Sequence, residues 1–318
     1  MLDEPRLTDL VVTAAGQAAD DIMQFELRAA DGGVLPAFTA GSHVTVRTPS
    51  GAFRKYSLCS GPGIDKRYVI GVKREALGRG GSRSMCDELK VGATLPVAAP
   101  VNEFALSERA KRFIFIAGGI GITPILSMMR HLVATDRNNF HLYYCTRDES
   151  STAFHADLAV EFPNRVTLHH DGGDPNNAFD FWPVLEKTTS AHVYCCGPRG
   201  LMEAVRDMSG HWPFGSIHFE SFGIDAATRH ADQPFDVRLA RSGAIVHVPS
   251  HCSILEAVRA AGVSVRSSCE AGSCGSCRTG LLAGEVEHRD FVLGPEEHAS
   301  QIMVCVSRAR GPGLVLDL

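Results

Sequence analysis

Four cysteines constrain this chain more than any other feature: Cys269, Cys274, Cys277 and Cys305 follow C-x4-C-x2-C-x27-C, three of them inside the string SSCEAGSCGSCRTG. Only a fold that returns a distant segment to the loop can bring the fourth thiol to the other three. The spacing is that of a plant-type [2Fe–2S] site. The loop chemistry agrees, because Gly272, Gly275 and small serines let backbone N–H groups turn toward sulfur. Buried free thiols and a zinc site are the alternatives, although structural zinc sites favour two short paired-cysteine knuckles. Cys59, Cys86, Cys145, Cys195, Cys196 and Cys252 lie in apolar or strand-like contexts and read mostly as core. A disulfide framework is disfavoured in a reducing compartment, where the chain is expected to reside.

The cysteine motif occupies only the last third of 318 residues, so further cores are needed upstream. Short β-rich runs at 23–28, 43–48, 55–58 and 68–74, broken by Gly and Pro, predict a small antiparallel barrel. Near residue 110 the pattern changes. The apolar run FIFIA leads into GGIGITP and a helical stretch, and FHLYYC, RVTLH, HVYCC and SIHFES follow at spacings that predict a parallel α/β sheet. The polar segment 223–233 reads as a linker. Beyond it, Arg241-Ser242-Gly243 predicts a hairpin turn, and SILEAVRAAG predicts a helix capped by Ser253 and ended by Gly262. The expected organisation is multidomain α+β: an antiparallel β-barrel at 1–107, a parallel-sheet α/β domain at 108–225, a linker at 226–233 and a ferredoxin-like β-grasp domain at 234–318.

Two motifs upstream are suited to phosphate. Arg54-Lys55-Tyr56-Ser57-Leu58 lies on a predicted strand whose period of two puts Arg54 and Tyr56 on one face, a cation for phosphate beside a ring for stacking. Gly78-Arg79-Gly80-Gly81-Ser82 opens a short helix, where free N–H groups attract anions. Tyr56 as barrel core and the glycine run as a surface turn are the bland readings, and each motif weakens the other's. Gly118, Gly119 and Gly121 follow an apolar strand and precede a helix, the place where an α/β sheet binds a dinucleotide pyrophosphate. Pro124 stands where the usual fingerprint has glycine, and it is tolerated at a helix start. Cys196, Gly197 and Pro198 end a second buried strand in a position suited to a nicotinamide ring, with Cys196 as core the alternative. Arg147 and Asp171 fall near the expected adenosine ribose, and Asp148 and Glu149 would repel a 2'-phosphate, favouring NADH.

In this order, with strings such as NEFAL, AGGIGITP, HHDGGDP, AFDFW, VYCCGP, DMSGHWP, HFESFG and QIMVCVSRA, the sequence resembles the phthalate dioxygenase reductases over essentially its whole length. The resemblance implies FMN in the first domain, NADH in the second and a [2Fe–2S] cluster in the third. It implies flavin contacts at Arg54, Tyr56, Ser57, Val72, Lys73, Gly80, Gly81, Ser82 and Thr123, with Phe222 closing over the ring unless it is core. The implied partner is a Rieske-type oxygenase, either an aromatic-ring dioxygenase or a demethylating monooxygenase. No side chain need act as acid or base in such a redox chain, so none is expected to be catalytic in that sense.

Charge and hydropathy exclude other classes. A net charge of −5 without a basic cluster argues against nucleic acid, and no apolar run is long enough for a membrane helix. A cytoplasmic monomer is expected. A self-contained flavin oxidoreductase would need a substrate pocket of its own, and a cluster-based redox sensor would leave the flavin and NAD motifs without a role.

Overall fold

The computed structural model describes residues 5–63, 66–78, 80–213, 215–223 and 232–318. The chain divides into two compact units, Met1–Glu220 and Ser221–Leu318. Most of the expected linker, 224–231, and Arg79 of the glycine-rich motif lie outside the described residues.

In the first unit β1 (Leu7–Ala19), β2 (Ile22–Ala29), β3 (Ser42–Arg47), β4 (Phe53–Ser57), β5 (Tyr68–Lys73) and β6 (Thr94–Ala98) form an antiparallel sheet in the order β4-β3-β6-β1-β2-β5, with β7 (Val101–Asn102) paired to β3. Alternation drives its curl: Leu10 and Val12, Phe25 and Leu27, Val44 and Val46 all point into one apolar interior. The sheet curls until its two edges meet at a single bridge, Leu58 with Ile70, backed by the Cys59 N–H donating to Val69 O at 2.8 Å. Met85 of α1 (Gly81–Glu88) packs into the same core.

A second sheet of the same unit is parallel. Its strands β8 (Phe113–Gly118), β9 (Phe140–Thr146), β10 (Val166–His170), β11 (His192–Cys196) and β12 (Ile217–Glu220) run in the order β10-β9-β8-β11-β12. Strand order reverses between β8 and β11, so the carboxyl ends of these two strands form the crevice where such sheets take ligands. Helices α2 (Ile122–Ala134), α3 (His155–Glu161), α4 (Trp182–Leu185) and α5 (Arg199–Met208) connect the strands. Ile22 and Val69 of the curled sheet share one core with Phe115 and Tyr144 of the parallel sheet, which is why residues on both sides of position 107 fall in a single unit.

The second unit is a mixed sheet. Its strands are β13 (Phe235–Leu239), β14 (Ile245–Val248), β15 (Arg278–Ala283), β16 (Val286–Glu287), β17 (Gln301–Met303), β18 (Arg308–Ala309) and β19 (Gly313–Leu316). The order is β14-β13-β19-β15-β17, with β13 and β19 parallel and the other pairs antiparallel, and β16 pairs with β18 separately. Helix α6 (Ile254–Ala260) buries Ile254, Leu255 and Val258 and starts at a complete capping box between Ser253 and Glu256. The linker reading meets a limit here: Asp232, polar and read as linker, is buried and belongs to this unit's packing.

Candidate cofactor sites

Strand β4 alternates as expected, and Arg54 shares a face with Tyr56. Arg54 lies across the start of α1: a Cβ at Gly81 would sit 2.8 Å from its Nε. Gly80, the N-cap, takes φ +88°, and no side chain caps the helix, so backbone N–H groups and a guanidinium converge at one point. Ser82 Oγ accepts from the Glu75 N–H at 3.1 Å, so this hydroxyl is already engaged with its own loop.

Tyr56 Oη is buried and has no hydrogen-bond partner, and burial pushes the phenol well above its ordinary value. A buried hydroxyl without a partner is costly, which makes this atom a mark of an expected ligand. Val72 buries its side chain in the core, leaving only its backbone for a ligand, and Lys73 pairs with Glu75 at 3.0 Å. Thr123 spends its hydroxyl on Ile120 O at 3.0 Å, and its methyl group would meet a Cβ at Gly71 of β5 at 2.8 Å.

The nucleotide motifs meet at the crevice. A Cβ at Gly121 would collide with the carbonyl of Cys196, and one at Gly197 would lie 2.9 Å from Gly118 Cα. These glycines are therefore required by the approach of two loops. Gly119 is different, with φ +50° and open space around it, and its carbonyl accepts from Tyr144 Oη at 3.0 Å. Pro198 precedes α5 in an extended conformation. Arg147 and Asp171 come to one rim, since Gly172 N donates to Arg147 O at 2.8 Å and Gly173 N to Asp171 Oδ1 at 2.7 Å. Asp148, exposed, accepts from Ser150 Oγ and Ser151 N, which holds it below the usual range, and the neighbouring Glu149 is exposed with His155 Nδ1 at 3.7 Å.

Sequence reading missed Glu220. This carboxyl ends β12, is buried, and has Oε2 3.5 Å from Ser57 Oγ. Burial, reinforced by the Glu103 carboxylate, pushes it up to about 8. Burial first and Glu220 second push the Cys196 thiol up as well, so Cys196 is a neutral thiol. An acidic residue at the end of a parallel strand was the available signal in the sequence. Phe222, two residues on, is 51% exposed, so it is not core.

In the second unit the four thiols meet as two pairs. Cys269 couples electrostatically to Cys274, and Cys277 to Cys305. In each pair that coupling drives one thiol down and the other up: Cys274 falls to about 5 as Cys269 rises, and Cys277 falls as Cys305 rises. Like-charge repulsion between Cys305 and Cys269, and between Cys277 and Cys274, marks the two pairs as neighbours. The Ala271 N–H points at Cys269 Sγ and the Cys269 N–H at Cys274 Sγ, both at 3.4 Å. Among the described residues no three His, Cys, Asp or Glu side chains converge on the position of a single ion. Two thiols for each of two irons is the donor set of a [2Fe–2S] cluster, and a mononuclear zinc site would need all four on one metal.

A curled flavin-type sheet, a nucleotide crevice and a four-thiol loop in this order define an electron-transferring oxidoreductase. Comparison with known proteins agrees. Residues 237–310 match the 2Fe-2S iron-sulfur cluster binding domain, and residues 115–170 match the oxidoreductase NAD-binding domain. The chain is 57% identical over 313 residues to the phthalate 4,5-dioxygenase oxygenase reductase subunit of Pseudomonas putida, covering 98% of this chain and 97% of that protein. It is 38% identical over 318 residues to a vanillate O-demethylase oxidoreductase of Pseudomonas sp. (strain HR199 / DSM 7063), covering 98% and 100%. A solved phthalate dioxygenase reductase, described as a modular structure for electron transfer from pyridine nucleotides to [2Fe–2S], superposes with a TM-score of 0.76 at 52% identity over 98% of each chain. The chain belongs to the phthalate dioxygenase reductase family. It is an NADH-dependent reductase component of an oxygenase system, with the family's cofactor set of FMN, NADH and [2Fe–2S]. No helix among the described residues is long and apolar enough to cross a membrane.

Proposed function

We propose that this chain serves a Rieske-type oxygenase, an aromatic-ring dioxygenase or a demethylating monooxygenase, as a cytoplasmic monomer. The observation that carries the reading is the meeting of four thiols in two pairs, because a cluster so held accepts one electron at a time. NADH gives two electrons together, and FMN, when bound, accepts both and releases them singly. Arg54 and the N–H groups from Gly80 to Ser82 would hold its phosphate, and the Tyr56 hydroxyl and Ser57 would meet the ring. Lys73, the Val72 backbone and Thr123 would complete the cradle.

The Gly118–Gly121 turn and Cys196-Gly197-Pro198 would hold the nicotinamide end of NADH, and Arg147 and Asp171 would take the adenosine ribose. Cys196 and Glu220, both buried and neutral, would keep the place where the nicotinamide would sit free of charge. Cys269 and Cys274 would hold one iron, and Cys277 and Cys305 the other. On this reading 1–107 holds FMN, 108–225 holds NADH, 226–233 is a linker and 234–318 holds the cluster.

The test is composition followed by dependence on a partner. Purified protein is expected to contain about one FMN, two irons and two sulfides per chain. Substrate turnover by an added Rieske oxygenase should require this chain and NADH. FAD in place of FMN, zinc in place of iron, or turnover of an organic substrate without any oxygenase would each overturn the corresponding part.

A further inference from the structure

The second unit contains a cluster of charges that the electron path does not use. Asp232, with 5% of its side chain exposed, accepts from Arg289 at 2.6 Å and faces Arg308 Nε at 3.4 Å; both arginines are as buried as the carboxylate. Arg289 also pairs with Glu287 through 2.9 Å contacts. Arg308 donates to the carbonyls of Cys252 and Gln233 and lies over the Phe235 ring. The arginines are thus fixed in place, and two carboxylates balance two guanidiniums.

Asp232, Arg289 and Arg308 line one small cavity together with Cys305 and Val306. Strand β18 begins at Arg308, three positions after Cys305, and the Arg289 N–H donates to Ser307 Oγ at 3.3 Å. The charge cluster and the fourth cysteine therefore line one cavity.

We propose that Asp232 is a positioning residue for the cluster's reduction potential, compensating and orienting two arginines beside Cys305. The inference rests on the assignment of Cys305 as an iron ligand. The step concerned adds one electron, originating from NADH, to the oxidised cluster; no atom moves and the cluster gains one negative charge. A balanced pair of arginines favours that extra charge weakly. Stripping away a carboxylate leaves an uncompensated cation beside the ligand and stabilises the reduced cluster.

Potentiometric titration of the full-length protein, followed by electron paramagnetic resonance of the reduced cluster, tests this. Asp232→Asn is expected to shift the cluster's one-electron equilibrium on the order of tenfold toward the reduced form, about 59 mV upward, with the flavin equilibrium unchanged. Glu287→Gln removes a partly exposed carboxylate, leaves the buried pair intact, and should move the potential the same way by less. The double variant Asp232→Asn/Arg289→Gln restores the charge balance and should return toward the parent value. Cluster potentials unmoved in Asp232→Asn and Glu287→Gln, or moved downward, would show that the network serves the fold alone and overturn the inference. A Cys305→Ala chain that keeps a normal two-iron cluster overturns the ligand assignment, and the inference with it.

Discussion

At the scale of single residues, the candidate sites hold two groups in states that cost stability. Tyr56 keeps a buried hydroxyl without a partner. Tyr56→Phe should raise the apoprotein's stability by about 1 kcal/mol while weakening FMN binding about tenfold, opposite effects that follow if the ligand satisfies the hydroxyl. Denaturant titration and FMN titration measure the two, and FMN affinity equal to the parent's would remove Tyr56 from the site.

Glu220 is the other costly residue. Its carboxyl keeps its proton up to about pH 8 in the folded chain, whereas the unfolded chain releases it near 4.5. Between those values the native state binds more protons than the unfolded one, so stability falls as pH rises, by roughly 4 kcal/mol across the window. Glu220→Gln should abolish that slope. Urea midpoints of parent and variant apoprotein at pH 5 and pH 8.5 give the comparison, and parallel pH profiles would refute the buried protonated carboxyl. Neither Tyr56 nor Glu220 could be fully understood from the sequence. The strand period places Tyr56 but not its missing partner, and Glu220 acquires its environment from Ser57, separated from it by 163 positions.

At the scale of elements, the motifs legible in the sequence were those whose geometry is local. The capping box at Ser253, the turn at Arg241-Ser242-Gly243 and the strands with clean alternation can be read directly because a few neighbouring residues determine them. Strand β1 escaped the reading: its second half, AAGQAA, carries no alternating apolar signal and is strand only because β2 pairs with it. Asp232 misled for a related reason, since composition marks a polar segment as linker and its partners Arg289 and Arg308 are distant in the chain. Glycines separate in the same manner. Gly121→Ala should raise the NADH KM at least tenfold, on the order of 1.4 kcal/mol, because its Cβ would drive the β8 turn off Cys196. Gly200→Ala, in α5 with open space around it, should stabilise by about 0.5–1 kcal/mol with kinetics unchanged. Steady-state kinetics and thermal melts on both variants decide, and an unaltered KM in Gly121→Ala would free that turn of any role in NADH binding.

At the scale of the whole molecule, two compact units divide the work, and damage to one should leave the other's chemistry standing. Cys274→Ala should abolish electron delivery to an oxygenase, since loss of one of four thiolates removes the cluster. Bleaching of FMN by NADH should stay within about threefold of the parent rate, because distant sites couple weakly. Stopped-flow absorbance and oxygenase turnover on one preparation measure both. Loss of flavin reduction in a folded, FMN-containing variant would break the serial scheme, and full turnover without a cluster would show that the flavin serves the oxygenase directly.

The pairing of the thiols also bears on how the holoprotein is made. Cys269 and Cys274 are joined by a short loop, whereas Cys277 and Cys305 are separated by 27 residues that include β15 and β17. Closing the shorter loop costs less entropy and needs no finished sheet. The Cys269–Cys274 pair therefore depends on its own loop alone, whereas the Cys277–Cys305 pair forms only once the sheet that carries both ends has closed.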